Sequence, residues 1–319
     1  MSVPASGAGG LVTAGETMGL IVQSEPGSPR NGEPMTFRMG GAESNVAIGV
    51  CRLGVPATWI GRVGADPAGD LIRRELRAEE VQAITTIDPA PTGLMLRWRP
   101  TAMHGRVEYR RRASAGSHLQ PSDIPPETIR QSAVFHATGI TLALGAGPAA
   151  TVQTAARIAH DAGRLVSFDL NYRRALWAEA EAAPALTAAA RDADIVFAGV
   201  QEARIVAGTV DPLDAALALE ELGPTNVLIK LGADGCLARI DGVTLELAAP
   251  AVTVIDTVGA GDAFVAGYLA ELIEGAPPSR RLATAVAAGA FAVTSAGDWE
   301  GLPRRAALSL LDEADPVVR

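Results

Sequence analysis

A chain of 319 residues with 48% hydrophobic and 20% charged residues can bury a large core and is too apolar to stay disordered. Its formal charge of -9 excludes a broadly basic nucleic-acid surface and points to small metabolites as partners. Cys51 and Cys236 lack CxxC spacing and read as core thiols of a reducing compartment; with neither a leader at Met1–Gly10 nor a membrane-length apolar run, a cytoplasmic protein is expected.

In chain order, a first strand is predicted at Leu11–Glu16, then two short strands, Gly19–Val22 and Met35–Met39, around the polar turn 27–32. A helix at Glu43–Leu53, a strand at Thr58–Val63 and a helix at Gly69–Glu80 follow. Gly93–Arg99 and Arg106–Arg112 flank Pro100–Gly105 as a second ribbon without a crossover helix. From there strands (Val134–Thr138, Leu165–Asp169, Ile195–Ala198, Val227–Lys230) alternate with helices (Pro148–Ala162, Ala183–Asp192, Pro212–Leu222). The β-branched run Val252–Ile255 reads as one more buried strand, ahead of helices at Gly259–Ile273, Arg280–Ser295 and Arg304–Leu311. The alternation predicts an α/β fold with a mostly parallel central sheet, and the two ribbons predict a small β-sheet lid, from about 19–39 and 93–112, within a single domain spanning 1–319.

Between the Val252–Ile255 run and its helix lies Asp256-Thr-Val-Gly-Ala-Gly-Asp-Ala-Phe264. Glycines there leave backbone N–H groups bare at the positive end of a helix, where an anion can be held. The helix end should acidify Asp262, leaving it ionised and free to accept a proton from a hydroxyl. Alone, Gly-Ala-Gly-Asp reads equally as a tight turn with Asp262 as helix cap. Met39-Gly40-Gly41-Ala-Glu-Ser-Asn45 places a second glycine pair ahead of a helix, with Asn45 able to bond sugar hydroxyls. Ser167-Phe-Asp-Leu-Asn171-Tyr-Arg173 delivers an arginine beyond the C-terminal edge of a strand, where open α/β sheets bind ligands. His136 reads as a satisfied core histidine, and neither a His/Cys metal cluster nor a Walker GxxxxGK[ST] is present.

The nine residues Asp256–Phe264 resemble the C-terminal signature of the ribokinase-like (PfkB) carbohydrate kinases, and Gly40-Gly41 resembles their N-terminal signature. The resemblance implies a ribokinase-like three-layer sandwich, ATP and Mg2+ as cofactors with room for a monovalent cation, and a homo-oligomer. It makes Asp262 the catalytic base and Gly259, Ala260 and Gly261 the turn that stabilises the transferred phosphate. Asp-x-Asn171-x-Arg173-x-x-Leu-Trp, and Pro91–Leu94 followed by Gly105–Ser117, are similar to the 2-keto-3-deoxygluconate kinases within that family. The implied acceptor is then a sugar acid, phosphorylated at its terminal hydroxyl to 2-keto-3-deoxy-6-phosphogluconate. Gly40, Gly41, Asn45, Met95, Tyr109, Arg111, Asn171, Arg173 and Asp298 would contact it, with Met95 standing where a tyrosine is expected. Lys230, Gly232, Ala233 and Gly235, with Gly259 and Gly261, would face ATP, and Glu202 would face magnesium. Two alternatives remain: a kinase of a neutral sugar of the fructokinase or ribokinase type, and a non-catalytic sugar sensor. The arginines argue against the first and the intact Gly-Ala-Gly-Asp against the second.

Overall fold

Apolar residues on adjacent positions of the central strands face opposite ways, so each strand feeds two helical layers. The computed structural model describes residues 9–101 and 104–311. Its strands are β1 (Leu11–Ala14), β2 (Met18–Gln23), β3 (Met35–Gly40), β4 (Ala57–Gly64), β5 (Gln82–Asp88), β6 (Leu94–Thr101), β7 (His104–Arg110), β8 (Val134–Thr138), β9 (Leu165–Asp169), β10 (Ile195–Gly199), β11 (Asn226–Lys230), β12 (Cys236–Ile240) and β13 (Val243–Leu247). Nine of them form the main sheet in the order β13-β12-β11-β10-β9-β8-β1-β4-β5, parallel except where β12 meets its two neighbours. The order reverses direction at β1, so ligands are expected beyond the C-terminal ends of the strands around it.

On one face, Leu11, Trp59, Ile195, Phe197 and Leu228 pack against helices Ala42–Arg52, Ala260–Ile273 and Pro278–Ala292. On the other, Val12, Phe135, Phe168, Val196 and Ile229 pack against helices Ala146–Asp161, Glu179–Arg191 and Pro212–Glu220. Phe197 meets Phe264 and Tyr268 edge-on, at centroid distances of 6.2 and 5.5 Å, which fixes the helix Ala260–Ile273 against the sheet. That helix also lies close to Ala42–Arg52. A Cβ on Gly49 would come within 2.6 Å of the Ala266 Cβ, so the glycine permits the close crossing.

The remaining four strands form the lid, in the order β3-β2-β6-β7. Register places Leu20, Met95 and Tyr109 side by side on one face and Ile21, Phe37 and Leu96 on the other. The first of these faces covers the C-terminal ends of β1 and its neighbours. Residues 102 and 103, at the turn of the second lid ribbon, and the termini of the expected 1–319 domain lie outside the described residues.

Two expectations are corrected. Val252–Ile255 is not a buried strand: it pairs with no described strand, and Val254 and Ile255 are 58% and 61% exposed. Its β-branched residues form a cavity wall instead of a sheet core. Arg305–Leu311 is a 3-10 segment where an α-helix is expected. The structure adds β5, β12, β13 and the helix Val200–Ala207, elements whose short or half-exposed patterns give weak periodicity.

Candidate active site

Four parallel strands release their chains at the edge beneath the lid. Beyond β1 comes Glu16, at the end of β9 Asp169, and two residues later Asn171, buried with its backbone at φ +35°. The helix after β10 carries Glu202, and β11 ends on Lys230. Opposite them, Gly259 starts the helix Ala260–Ile273 at φ +76°.

Two cavities meet here. The first, about 490 Å³, is lined by lid residues Met95, Arg97, Tyr109 and Arg111 and by body residues Gly40, Gly41 and Asn45. Asn171, Arg173, Glu202, Gly259, Asp262 and Asp298 complete its wall. The second, about 570 Å³, runs along Gly232, Ala233 and Gly235 and is walled by apolar side chains such as Val252, Val254, Phe264 and Val286. Lys230, Thr257 and Gly261 belong to both, and Ala260 lines the second. Every residue expected at the site therefore lies on one of the two cavities. An anion passing between them must cross the glycine turn, where the first N–H groups of a helix lack intrahelical partners.

Asp262 sits at the first turn of the helix, and its Oδ2 accepts a hydrogen bond of 2.8 Å from Asn45 Nδ2. The expectation that it is acidified is overturned. Burial pushes its carboxyl up to about 7, against the Asn45 hydrogen bond; Asp169 adds to the rise, while Arg173 and Lys230 oppose it. Desolvation outweighs the helix end because the group is enclosed. Asn45 thus contacts the carboxylate as well as the cavity, and its helix is held from behind by buried Glu43, which accepts the Thr138 and Thr141 hydroxyls at 2.7 and 2.5 Å. Asp298 is also raised, to about 6, chiefly by burial, with Arg97 opposing.

The cations are not equivalent. Lys230 Nζ donates to both oxygens of Asp169 at 2.9 and 2.7 Å. Burial works against its charge, but Asp169 and Glu202 carry its pKa above the ordinary lysine value. Arg111 lies one residue past β7, is 8% exposed, and gives Nε and Nη2 to Glu16 Oε2 at 2.8 and 2.6 Å. Arg173 is the open one: its side chain is 49% exposed and its nearest carboxylate, Glu202, is 3.9 Å away. A planar guanidinium so placed can take an anionic group two-pronged.

Glu16, Arg97 and Asp169 belong to the site although the sequence alone assigns none of them a role there. Arg97 has a local signal, standing one strand period from Met95 and so on the same face. The ion-pair partners join segments far apart in the chain and leave no spacing signal. His136 is a core residue, as expected, but only half satisfied: it is fully buried and pushed down to about 3 by burial, its Nδ1 is bonded to Ser167 Oγ at 3.0 Å, and its Nε2 has no hydrogen-bond partner. Among the described residues no group of three or more His, Cys, Asp or Glu could hold a metal ion, and no helix is long and apolar enough to cross a membrane.

Known proteins share this sequence and architecture along nearly their whole length. The 2-dehydro-3-deoxygluconokinase of Bacillus subtilis (strain 168) is 33% identical over 318 residues, covering 96% of each chain. The 2-dehydro-3-deoxygalactonokinase of Haloferax volcanii is 32% identical, covering 97% of this chain and 96% of its own. Aminoimidazole riboside kinase from Salmonella enterica, solved with aminoimidazole riboside and an ATP analogue, superposes with a TM-score of 0.84 at 28% identity, over 95% of this chain and 100% of that one. The sandwich, the lid and the glycine turn have one explanation in common: residues 10–305 match the pfkB family of carbohydrate kinases, and the chain belongs to that family.

Proposed function

We propose that this kinase transfers the γ-phosphate of ATP to the terminal hydroxyl of a sugar acid, most closely 2-keto-3-deoxygluconate, also called 2-dehydro-3-deoxygluconate. The observation that carries the reading is one cavity holding both Asp262 and three arginines, Arg97, Arg111 and Arg173, joined across Gly261 to an apolar cavity suited to a nucleotide base. Two of the three relatives, the 2-dehydro-3-deoxygluconokinase and the 2-dehydro-3-deoxygalactonokinase, are named for acids of this class. Arg173 would hold the acceptor carboxylate, with Tyr109 and the Glu16-paired Arg111 lining the cavity beside it, while Gly40, Gly41, Asn171 and Asp298 face its hydroxyls. Met95 leaves an apolar wall where a tyrosine would offer a hydroxyl, and it bears on the choice between gluconate- and galactonate-derived acids.

Asp262, poised near neutral pH, would take the acceptor proton as the oxygen attacks the γ-phosphorus and the bond to the departing ADP breaks. The Gly259–Gly261 N–H groups and Lys230 would stabilise the charge spread over the moving phosphoryl group. Magnesium suits a site that offers Glu202 and no dedicated cage, since the ion is commonly held by one or two carboxylates, water and substrate phosphates. When bound, it neutralises phosphate charge. A monovalent cation is proposed only as an activator, read by titrating potassium against choline chloride. ATP as donor and the free thiols Cys51 and Cys236 suit a cytoplasmic enzyme.

An ADP-release assay over 2-keto-3-deoxy acids and neutral sugars tests the assignment, which fails if fructose or ribose is preferred to every acid. Arg173→Ala is expected to raise the KM for the acid about 10- to 100-fold, as for loss of a charged hydrogen-bonded pair, with little change for ATP. Equal effects on both substrates would defeat the anchoring role.

The proposed homo-oligomer uses the outer lid face, where Phe37 and Met35 are 44% and 38% exposed beside Ile21 and Leu96. Phe37→Glu should convert a dimer to a monomer in light scattering. A wild-type monomer, or a dimer unmoved by the substitution, would exclude that face.

A further inference from the structure

Arg97 is a lid residue that reaches the catalytic segments with its guanidinium already paired to carboxylates. It lies in the middle of the lid sheet, in register with Val22 and Val107, and points into the first cavity. Its Nη2 donates to Asp256 Oδ2 at 2.5 Å, its Nη1 lies 3.7 Å from Asp298 Oδ1, and its side chain is 18% exposed. Both carboxylates it meets also touch the backbone segments around the two glycine motifs. Asp256 Oδ1 accepts the backbone N–H of Val258 at 3.2 Å, and its Oδ2 that of Gly297 at 3.4 Å. The backbone of Asp298 packs on the catalytic turn so closely that a Cβ on Gly259 would lie 1.9 Å from its carbonyl oxygen. The Asp298 carboxylate packs equally closely on Gly40, where a Cβ would lie 2.1 Å from Oδ2.

The geometry points to Arg97 as a positioning residue that ties the closed lid to the glycine turn, holding the 256–259 and 297–298 segments together so that the turn's N–H groups face the phosphate. The physical reason is charge. Arg97 meets Asp256 and Asp298 at once, two like charges brought to one guanidinium, and a guanidinium fork can bridge two carboxylates where a lysine meets one. Without the bridge, the two buried carboxylates repel, and the segments carrying the turn and the Gly40 loop lose their common anchor. Arg173 lies open to an acid; Arg97 is already matched by two. The inference rests on the kinase chemistry of the site and not on the acceptor being an acid, so it is measured with whichever acceptor the wild-type enzyme turns over fastest.

The test is a double-mutant cycle on the full-length enzyme, using Arg97→Gln, Asp256→Asn and the pair, with kcat and the calorimetric Kd of a non-hydrolysable ATP analogue as readouts. Each single substitution should lower kcat about tenfold or more, as expected when reacting groups are slightly misplaced, and leave the analogue Kd within about twofold. The double variant should be no slower than the slower single, because both remove one tie. Arg97→Lys should fall between wild type and Arg97→Gln. If Arg97→Gln misfolds, Asp256→Asn approaches the same contact from the body side and carries the same expected split. Wild-type kcat in either single variant, multiplicative losses in the double, or an analogue Kd that weakens in step with kcat would overturn the assignment.

Discussion

Asp262→Asn is expected to keep acceptor and nucleotide binding and to lower kcat by about 100- to 10,000-fold, the range over which general-base catalysis contributes. The amide can still accept the hydrogen bond from Asn45 Nδ2, so the local geometry has a reason to persist while the proton acceptor is lost. Because the Asp262 carboxyl is pushed up to about 7, wild-type kcat should rise with pH through that value and level off above it. The same shift has a consequence for stability. The folded value lies above the ordinary aspartate value of 3.8, so between the two the native state holds a proton that the unfolded chain has released. Stability from this group is complete below about 4 and is lost as pH rises to about 7. Asp262→Asn has no charge to bury and should melt at a higher temperature than wild type at alkaline pH, with the two curves converging in acid. Turnover near the wild-type rate would remove Asp262 as the base, and a lower melting temperature in alkali would show that the ionised carboxylate is not strained.

The reversed behaviour of Asp262 marks where sequence reasoning reaches its limit. Strand alternation exposed β1, β4, β8, β9, β10 and β11, and two glycine motifs located the edge where their chains emerge, because backbone periodicity and turn chemistry are local. Burial is not local. A carboxylate after a glycine turn reads as acidified by its helix, yet the lid and the opposite helix enclose it and reverse the shift. Val252–Ile255 fails for a related reason: β-branched residues fit a sheet or a nucleotide cavity equally well, and only pairing partners separate the two. Ion pairs are the least legible of all. From the sequence Arg111 is expected to contact the substrate, but Glu16, 95 residues earlier in the chain, already engages it, so the open charge falls to Arg173.

Gly259→Ala should abolish most activity through the backbone, in contrast to Gly261→Ala. Gly259 holds φ +76°, a conformation costing a side-chain-bearing residue about 1–2 kcal/mol, and an added Cβ would lie 1.9 Å from the Asp298 carbonyl oxygen. That oxygen belongs to backbone, so the turn itself must shift and its N–H groups leave the phosphate path. Loss of one such donor elsewhere costs about 100- to 1,000-fold in kcat, and displacing the turn should cost at least that. Gly261 differs: its added Cβ meets only Lys230 Nζ at 3.6 Å, an ordinary contact, and its φ is unexceptional. Gly261→Ala should therefore fold and melt like wild type, while crowding the junction of the two cavities and raising the KM for ATP. Thermal melts of both variants beside steady-state kinetics separate the two effects. A Gly259→Ala enzyme with wild-type kcat would show that the turn's backbone N–H groups take no part in the transfer.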